Sequence, residues 1–183
     1  YLGIHYVDII YFATDAQPKR VMSLGQKSYL SSKGIDNYDS IQTLIEWERS
    51  DGHRFTSCFL TNWIEETPTP AMSDQRIKVI GTKGRIEADQ KNRGISIVND
   101  SSYEEVNPDF CRLYKEGDRY NIDGYGIESI LTFFSDVRDI QNKKIKIKDL
   151  EKSRPTFSQS IVPTRVIEAS NKSLSLYGSW IEI

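Results

Sequence analysis

His5 stands three positions ahead of Asp8 in the stretch Gly3-Ile-His5-Tyr-Val-Asp8, the one place where a histidine has a partner at a useful spacing. On a helix that spacing puts both side chains on one face, with the carboxylate in reach of the imidazole. An imidazole held by a carboxylate is a proton-transfer device, because its pKa lies near neutrality. The same spacing also describes a surface or core-facing histidine beside a helical acid. Pattern alone favours that plainer reading, since a lone His–Asp pair is unspecific. The other histidine, His53, follows Asp51-Gly52 in what reads as an exposed hairpin turn and is assigned no role. Neither histidine has a second one four positions on, so the helical zinc-protease pattern is missing.

Other chemistries find less support. Gly124-Tyr-Gly126 opens a predicted helix, but Ser129 stands where G-x-G-x-x-G requires its third glycine. The preceding Arg119 to Asp123 is too polar for the buried parallel strand of a dinucleotide fold. Gly81-Thr-Lys-Gly84 lacks the spacing of a P-loop, so both stretches read as structural glycines, and no cofactor-binding residues are assigned within the chain. No G-x-S-x-G elbow supports a hydrolase triad. Cys58 and Cys111 lie far apart without C-x-x-C spacing, which predicts neither a disulfide scaffold nor a cysteine metal site and points to a reducing, cytoplasmic setting. Lys143 to Lys148 alternates lysine with isoleucine and reads as an edge strand guarded by charge. Asp89 to Gly94 reads as a solvated turn, with part of a ligand rim as its functional alternative. Trp47 and Trp63 read as core or dimer-interface residues before a sugar platform.

The elements that must position these residues follow from periodicity. Ile4, Val7, Ile10 and Tyr11 recur at helical spacing, and Asp15 and Pro18 stop that helix. A strand is predicted around Arg20 to Leu30. Ile41, Thr43, Ile45 and Trp47 share one face of the next strand, and Phe55, Ser57, Phe59, Thr61 and Trp63 share one face of its partner. Ser50-Asp51-Gly52 between them supplies a hairpin turn, because glycine tolerates positive φ. Residues 65 to 75 read as a loop. Short strands follow at Ile77 to Ile80, Arg85 to Ala88, Ile95 to Val98 and Tyr103 to Val106. A helix from Gly124 to Ile140 is expected to be capped by Asp123 and to bury Ile127, Ile130, Leu131, Phe134 and Val137. A second, disturbed by Pro163, runs from Phe157 to Leu176 with Gly178 as its C′ residue, and Trp180 to Ile183 forms a last strand. Hairpins instead of helical crossovers predict an α+β fold, a large, mainly antiparallel open sheet with helices packed on one face.

Composition narrows the function. With 24 Lys and Arg against 26 Asp and Glu, the net charge of −2 argues against a protein that binds nucleic acid by neutralising many phosphates. An aromatic content of 11% argues against disorder. No apolar run approaches the roughly 20 residues that span a bilayer, so no membrane partner is expected. The chain starts at Tyr1, already inside an apolar-periodic segment, and reads as a piece of a larger protein made of one domain over residues 1–183.

Three stretches taken in order resemble the C-terminal domain of the Gfo/Idh/MocA family of NAD(P)-dependent oxidoreductases. Gly3-Ile-His5-Tyr-Val-Asp8 is similar to the family's G-x-H-x-x-D helix. Ile77-Lys-Val-Ile-Gly81-Thr-Lys-Gly84-Arg-Ile-Glu87 is similar to its strand, G-T-x-G turn and following strand. Glu168-Ala-Ser-Asn-Lys-Ser173, through Gly178 to Trp180-Ile-Glu-Ile183, is similar to its last helix and strand. The resemblance implies a longer enzyme whose N-terminal Rossmann domain binds NAD or NADP and carries a catalytic lysine. This chain would supply the substrate wall and, through the exposed face of its sheet, a homo-oligomer contact. It would be inactive alone. The implied substrate is a sugar, a polyol or a related small molecule, with His5 as acid/base catalyst and Asp8 orienting the helix or the imidazole. Many members carry an acid four positions before the histidine, where this chain has Tyr1; a phenol can hydrogen-bond an imidazole but carries no carboxylate charge at neutral pH. That departure supports the alternative, a non-catalytic ligand-binding or dimerisation module of the same fold.

Overall fold

The computed structural model describes residues 3–65, 74–89, 91, 94–106, 111–151 and 153–183. Two units emerge, the first from residues 1–67 and 153–183, the second from residues 68–152. Both are built from antiparallel pairings, giving the expected α+β architecture.

The first unit begins with helix α1, Gly3–Thr14, which buries Val7 and half-buries Ile4, Ile10 and Tyr11 as its periodicity predicts. It stops where Asp15 takes a left-handed φ of 53°. Strand β1 (Gln17–Gln26) leads to a single helical turn, α2 (Tyr29–Ser32), then to the hairpin of β2 (Ser40–Glu48) and β3 (Arg54–Asn62). Helix α4 (Phe157–Ser175) and the short strand β10 (Ile181–Glu182) complete the unit, with sheet order β10-β1-β2-β3. The core lies between one face of this sheet and the two long helices: Val7, Ala16, Val21, Ile45, Trp47, Val166 and Ala169. Burying an aliphatic side chain such as Val21 or Ile45 stabilises by about 1.5–3 kcal/mol. Trp47 has no exposed surface, stacks on Phe55 with ring centroids 6.1 Å apart and donates its indole N–H to Ser57 Oγ at 2.8 Å. The reading of Trp47 as core therefore holds.

Helix α4 ends differently from expectation. Gly178 N–H reaches Ser173 O at 2.9 Å and Tyr177 N–H reaches Leu174 O, so Tyr177, at φ 54°, is the C′ residue and Gly178 the one after it. Glycine is still required there, because a Cβ at Gly178 would stand 2.5 Å from Leu24 Cδ2. Pro163 sits within α4 and is buried.

The second unit holds a four-stranded meander, β4 (Arg76–Gly81), β5 (Gly84–Asp89), β6 (Gly94–Asn99) and β7 (Tyr103–Val106), and a separate hairpin, β8 (Cys111–Glu116) and β9 (Arg119–Gly124). The register of the meander aligns Ile77 with Ala88 and Ile95, and Val79 with Ile86 and Ile97, which makes one face apolar. The other face carries the ion pairs Lys78–Glu87 and Arg85–Glu87. Helix α3 (Tyr125–Gln141) follows the hairpin. Residues 90, 92 and 93 of the expected turn and 66–73 of the expected loop lie outside the described residues.

Three expectations fail here. Asp123 does not cap α3: it lies in β9, paired with Arg112 at 3.0 Å, and Gly124 takes the N-cap position. The helix leaves Ile130, Leu131 and Phe134 exposed and Ile127 and Val137 half-buried, because a two-stranded ribbon is too narrow to cover a helix of 17 residues. Nor is Lys143–Lys148 an edge strand. Lys143 turns the chain at φ 59°, and the Asp149 carboxylate accepts the Lys146 N–H at 2.9 Å, starting a 3-10 turn over Ile147–Leu150. Alternation without a neighbouring strand to pair with yields to that local cap.

Candidate active site

Helix α1 places His5. Its first turn lies against the end of β3, where a Cβ on Gly3 would come within 3.3 Å of Thr61 Cγ2. Its far end reaches the β2–β3 turn, where Asp15 and Gln17 share a shallow depression of about 390 Å³ with Glu48, Arg49, Ser50 and Gly52. The helix therefore runs antiparallel to β3, anchored by Val7. Residues 5, 8, 9 and 12 form its outer stripe, and His5, Asp8, Ile9 and Phe12 are all exposed. His5 and Asp8 share that face as predicted, but no hydrogen bond links them, and none joins His5 to any other described side chain. Its imidazole is thus presented to solvent with both nitrogens free for a ligand. Tyr1 lies outside the described residues.

The end of β3 shares this neighbourhood. Trp63 follows the end of β3 at a bend, and its backbone N–H reaches Asp39 O at 2.9 Å. Asn62 Nδ2 donates to Glu65 Oε1 at 3.0 Å, closing the turn behind it. The indole itself is 61% exposed, so Trp63 is not a core residue. His53 sits in the β2–β3 turn, exposed, its N–H donating to Asp51 Oδ1. The depression near that turn lies at the opposite end of α1 from His5. Its walls are of mixed charge, with Lys19 and Glu48 3.9 Å apart.

The two glycine stretches have structural explanations. Thr82 and Lys83 form the two-residue turn between β4 and β5, and a Cβ on Gly84 would collide with Val98 O at 2.2 Å. Gly124 links an antiparallel hairpin to α3, at φ 156°. Neither follows a parallel strand, so these residues do not fit a dinucleotide cradle. The Cys58 thiol is free and exposed, and among the described residues no cluster of His, Cys, Asp and Glu is arranged to hold a metal ion. No helix among them is long and apolar enough to cross a membrane.

The sheet face turned away from the helices carries a charged band and an apolar band. Arg20 and Arg54 both bind Glu46, at 2.7 and 3.0 Å, and Arg54 also binds Glu48. The Arg20 hydrogen bond above all, helped by Arg54, holds the Glu46 carboxyl below the usual carboxylate range. Arg20 also lies over the Trp180 ring, 4.6 Å from its centroid. Beyond this band Leu24, Leu44 and Leu60 are exposed.

No family model matches the sequence, and no curated protein matches it. Solved structures do match, and they share the fold. An inositol dehydrogenase homolog from Azotobacter vinelandii, solved with NADH and myo-inositol, superposes with a TM-score of 0.65 at 15% identity, over 100% of this chain and 48% of that one. An aldose-aldose oxidoreductase from Caulobacter crescentus, solved with glycerol, gives 0.64 at 14% identity, over 99% and 46%. The transcriptional regulator Gal80p from Kluyveromyces lactis gives 0.62 at 14% identity, over 98% and 44%. The chain spans about half the length of each of these proteins.

Proposed function

We propose that this chain is the C-terminal, substrate-side part of an NAD(P)-dependent oxidoreductase of the Gfo/Idh/MocA type, acting on a hydroxyl or carbonyl of a sugar, polyol or related small molecule. The observation that carries this reading is the fold: nearly all of the chain superposes on about half of an inositol dehydrogenase homolog and of an aldose-aldose oxidoreductase. The ordered motifs around His5, Gly81 and Glu168 agree with it. Hydride chemistry belongs to a nicotinamide dinucleotide, which the described residues do not cradle and which a different part of the longer protein would hold. The part left to this chain is the proton. His5, exposed on the first turn of α1, takes the hydroxyl proton on oxidation and returns it on reduction, and Asp8 on the same face orients the helix or the imidazole. The open sheet face, with Leu24, Leu44, Leu60 and Trp180 around the Arg20–Glu46–Arg54 band, provides a homo-oligomer contact.

The test is steady-state turnover of the full-length protein with NAD and with NADP on a panel of sugars and polyols. His5→Ala is expected to lower kcat by about 10²–10⁴-fold. Unchanged turnover in His5→Ala would take His5 out of the mechanism. The 183-residue chain alone is expected to be inactive. A second reading, a non-catalytic ligand-binding module, draws on the likeness to a transcriptional regulator. Sugar binding by the full-length protein without turnover of any panel member would favour it.

A further inference from the structure

We infer that the apolar stripe of α3 is the surface on which the nicotinamide-binding part of the same longer protein docks. The inference rests on the oxidoreductase reading above and deepens it, by giving that part a place on this chain. Ile127, Ile130, Leu131, Phe134 and Val137 recur along α3 at steps of three and four residues, the spacing of a helix that lays one face in an apolar groove. Yet Ile130 is 59% exposed, Leu131 61% and Phe134 64%, with Phe133 beside them at 64%. The opposite side carries Thr132, Ser135, Asp136 and Asp139, which are half-buried. The helix thus shows water its apolar side more fully than its polar one, the reverse of an ordinary surface helix. Its C-terminal end is nonetheless closed: the N–H groups of Asn142, Lys143 and Lys144 reach the carbonyls of Arg138, Ile140 and Asp139, each at 2.9 Å. The stripe is therefore a formed surface that lacks a cover.

Size decides between the possible covers. At about 200 Å² per large side chain, Ile130, Leu131, Phe133 and Phe134 leave on the order of 450 Å² in water. Counted on both sides, a contact over that patch is roughly 900 Å². This falls short of the ~1,200 Å² at which separate proteins associate stably, a pair of identical stripes included. It lies within the ~600–1,500 Å² found between domains of one polypeptide, where the tether supplies a high effective concentration. The chain spans about half of the inositol dehydrogenase homolog and of the aldose-aldose oxidoreductase, and a protein of their length has a second part of similar size to provide the cover. The five stripe residues are uncharged, so the counterpart is an apolar groove on that part.

The experiment uses the full-length protein with the photo-crosslinking residue p-benzoylphenylalanine in place of Phe134, in place of Leu131 in a second preparation, and in place of Glu128, away from the stripe, as the control. Irradiation is expected to link the first two positions to residues ahead of Tyr1 at the mass of a single chain, with a severalfold lower yield from the control. Links confined to residues 1–183 would overturn the inference. So would a doubled mass on a denaturing gel, the mark of a second copy as the cover. Equal yields from all three positions, or none from the two in the stripe, would overturn it as well. Turnover of sugars and polyols by the unmodified protein is read separately. The expected crosslink without turnover keeps the docking contact and removes the oxidoreductase reading, whereas turnover without the crosslink does the reverse.

Discussion

Ser173 shows how much one hydroxyl can do in this fold. The register of β1 against β10 sets Arg20 opposite Glu182 and Val21 opposite Ile181, so that Ser23 comes opposite Ser179. No direct ladder bond forms there. The Ser173 hydroxyl accepts the Ser23 N–H at 2.8 Å and donates to the Ser179 carbonyl at 2.6 Å, replacing the missing bond from the facing helix. The Ser23 hydroxyl continues the network to Thr43 at 2.9 Å and Ser170 at 2.7 Å. Ser173→Ala leaves a buried N–H without a partner and is expected to cost about 1–3 kcal/mol, read as a lower urea midpoint at unchanged slope. None of this was legible in the sequence, where Ser170 and Ser173 were simply small residues of the last helix. The pairing of His5 with Asp8 on one face was legible, because helical spacing is local. Their lack of a mutual hydrogen bond was not, because side-chain rotamers respond to solvent and neighbours.

At the scale of elements, the strongly periodic segments were found and the locally capped ones were missed. Helix α1, the β2–β3 hairpin and the β4–β6 strands follow from alternation and turn residues alone. Helix α2 does not. The first strand was expected to reach Leu30, yet it ends at Gln26, and the Asp39 carboxylate accepts the backbone N–H groups of Tyr29 and Leu30, each at 2.8 Å. That cap comes from about ten residues downstream, outside the range of local propensity. The bond from Leu30 N–H above all, joined by those from Tyr29 and Ser28, holds the Asp39 carboxyl below its ordinary range against the opposing effect of burial. A depressed pKa contributes stability that is fully present above the unfolded value and is lost as pH falls through the lower folded value. Acid melts are therefore expected to lose this contribution below about pH 3.9. Asp39→Asn should flatten that part of the curve while lowering stability at neutral pH, as thermal melts across the range would show.

For the whole molecule, the open face of the first sheet is the proposed assembly surface. The large side chains of the β2–β3 hairpin, Ile41, Ile45, Trp47, Phe55 and Phe59, belong to the face that α1 and α4 cover. The outer face has Leu24, Leu44 and Leu60 beside a charged band instead, and a self-associating face of this kind is disabled by a buried unpaired charge. Leu60→Glu is expected to shift the full-length protein toward the monomer in light scattering without changing its circular dichroism; an unaltered mass would exclude this face. The sequence by itself determined the α+β class, the antiparallel pairing and the helix that carries His5, because periodicity and turn chemistry act over a few residues. Tertiary structure decided which Trp is core and which is exposed, what α3 leaves uncovered, and which hydroxyl completes the β1 ladder. Those outcomes depend on contacts between residues far apart in the chain, and the spacing of residue types carries no record of them.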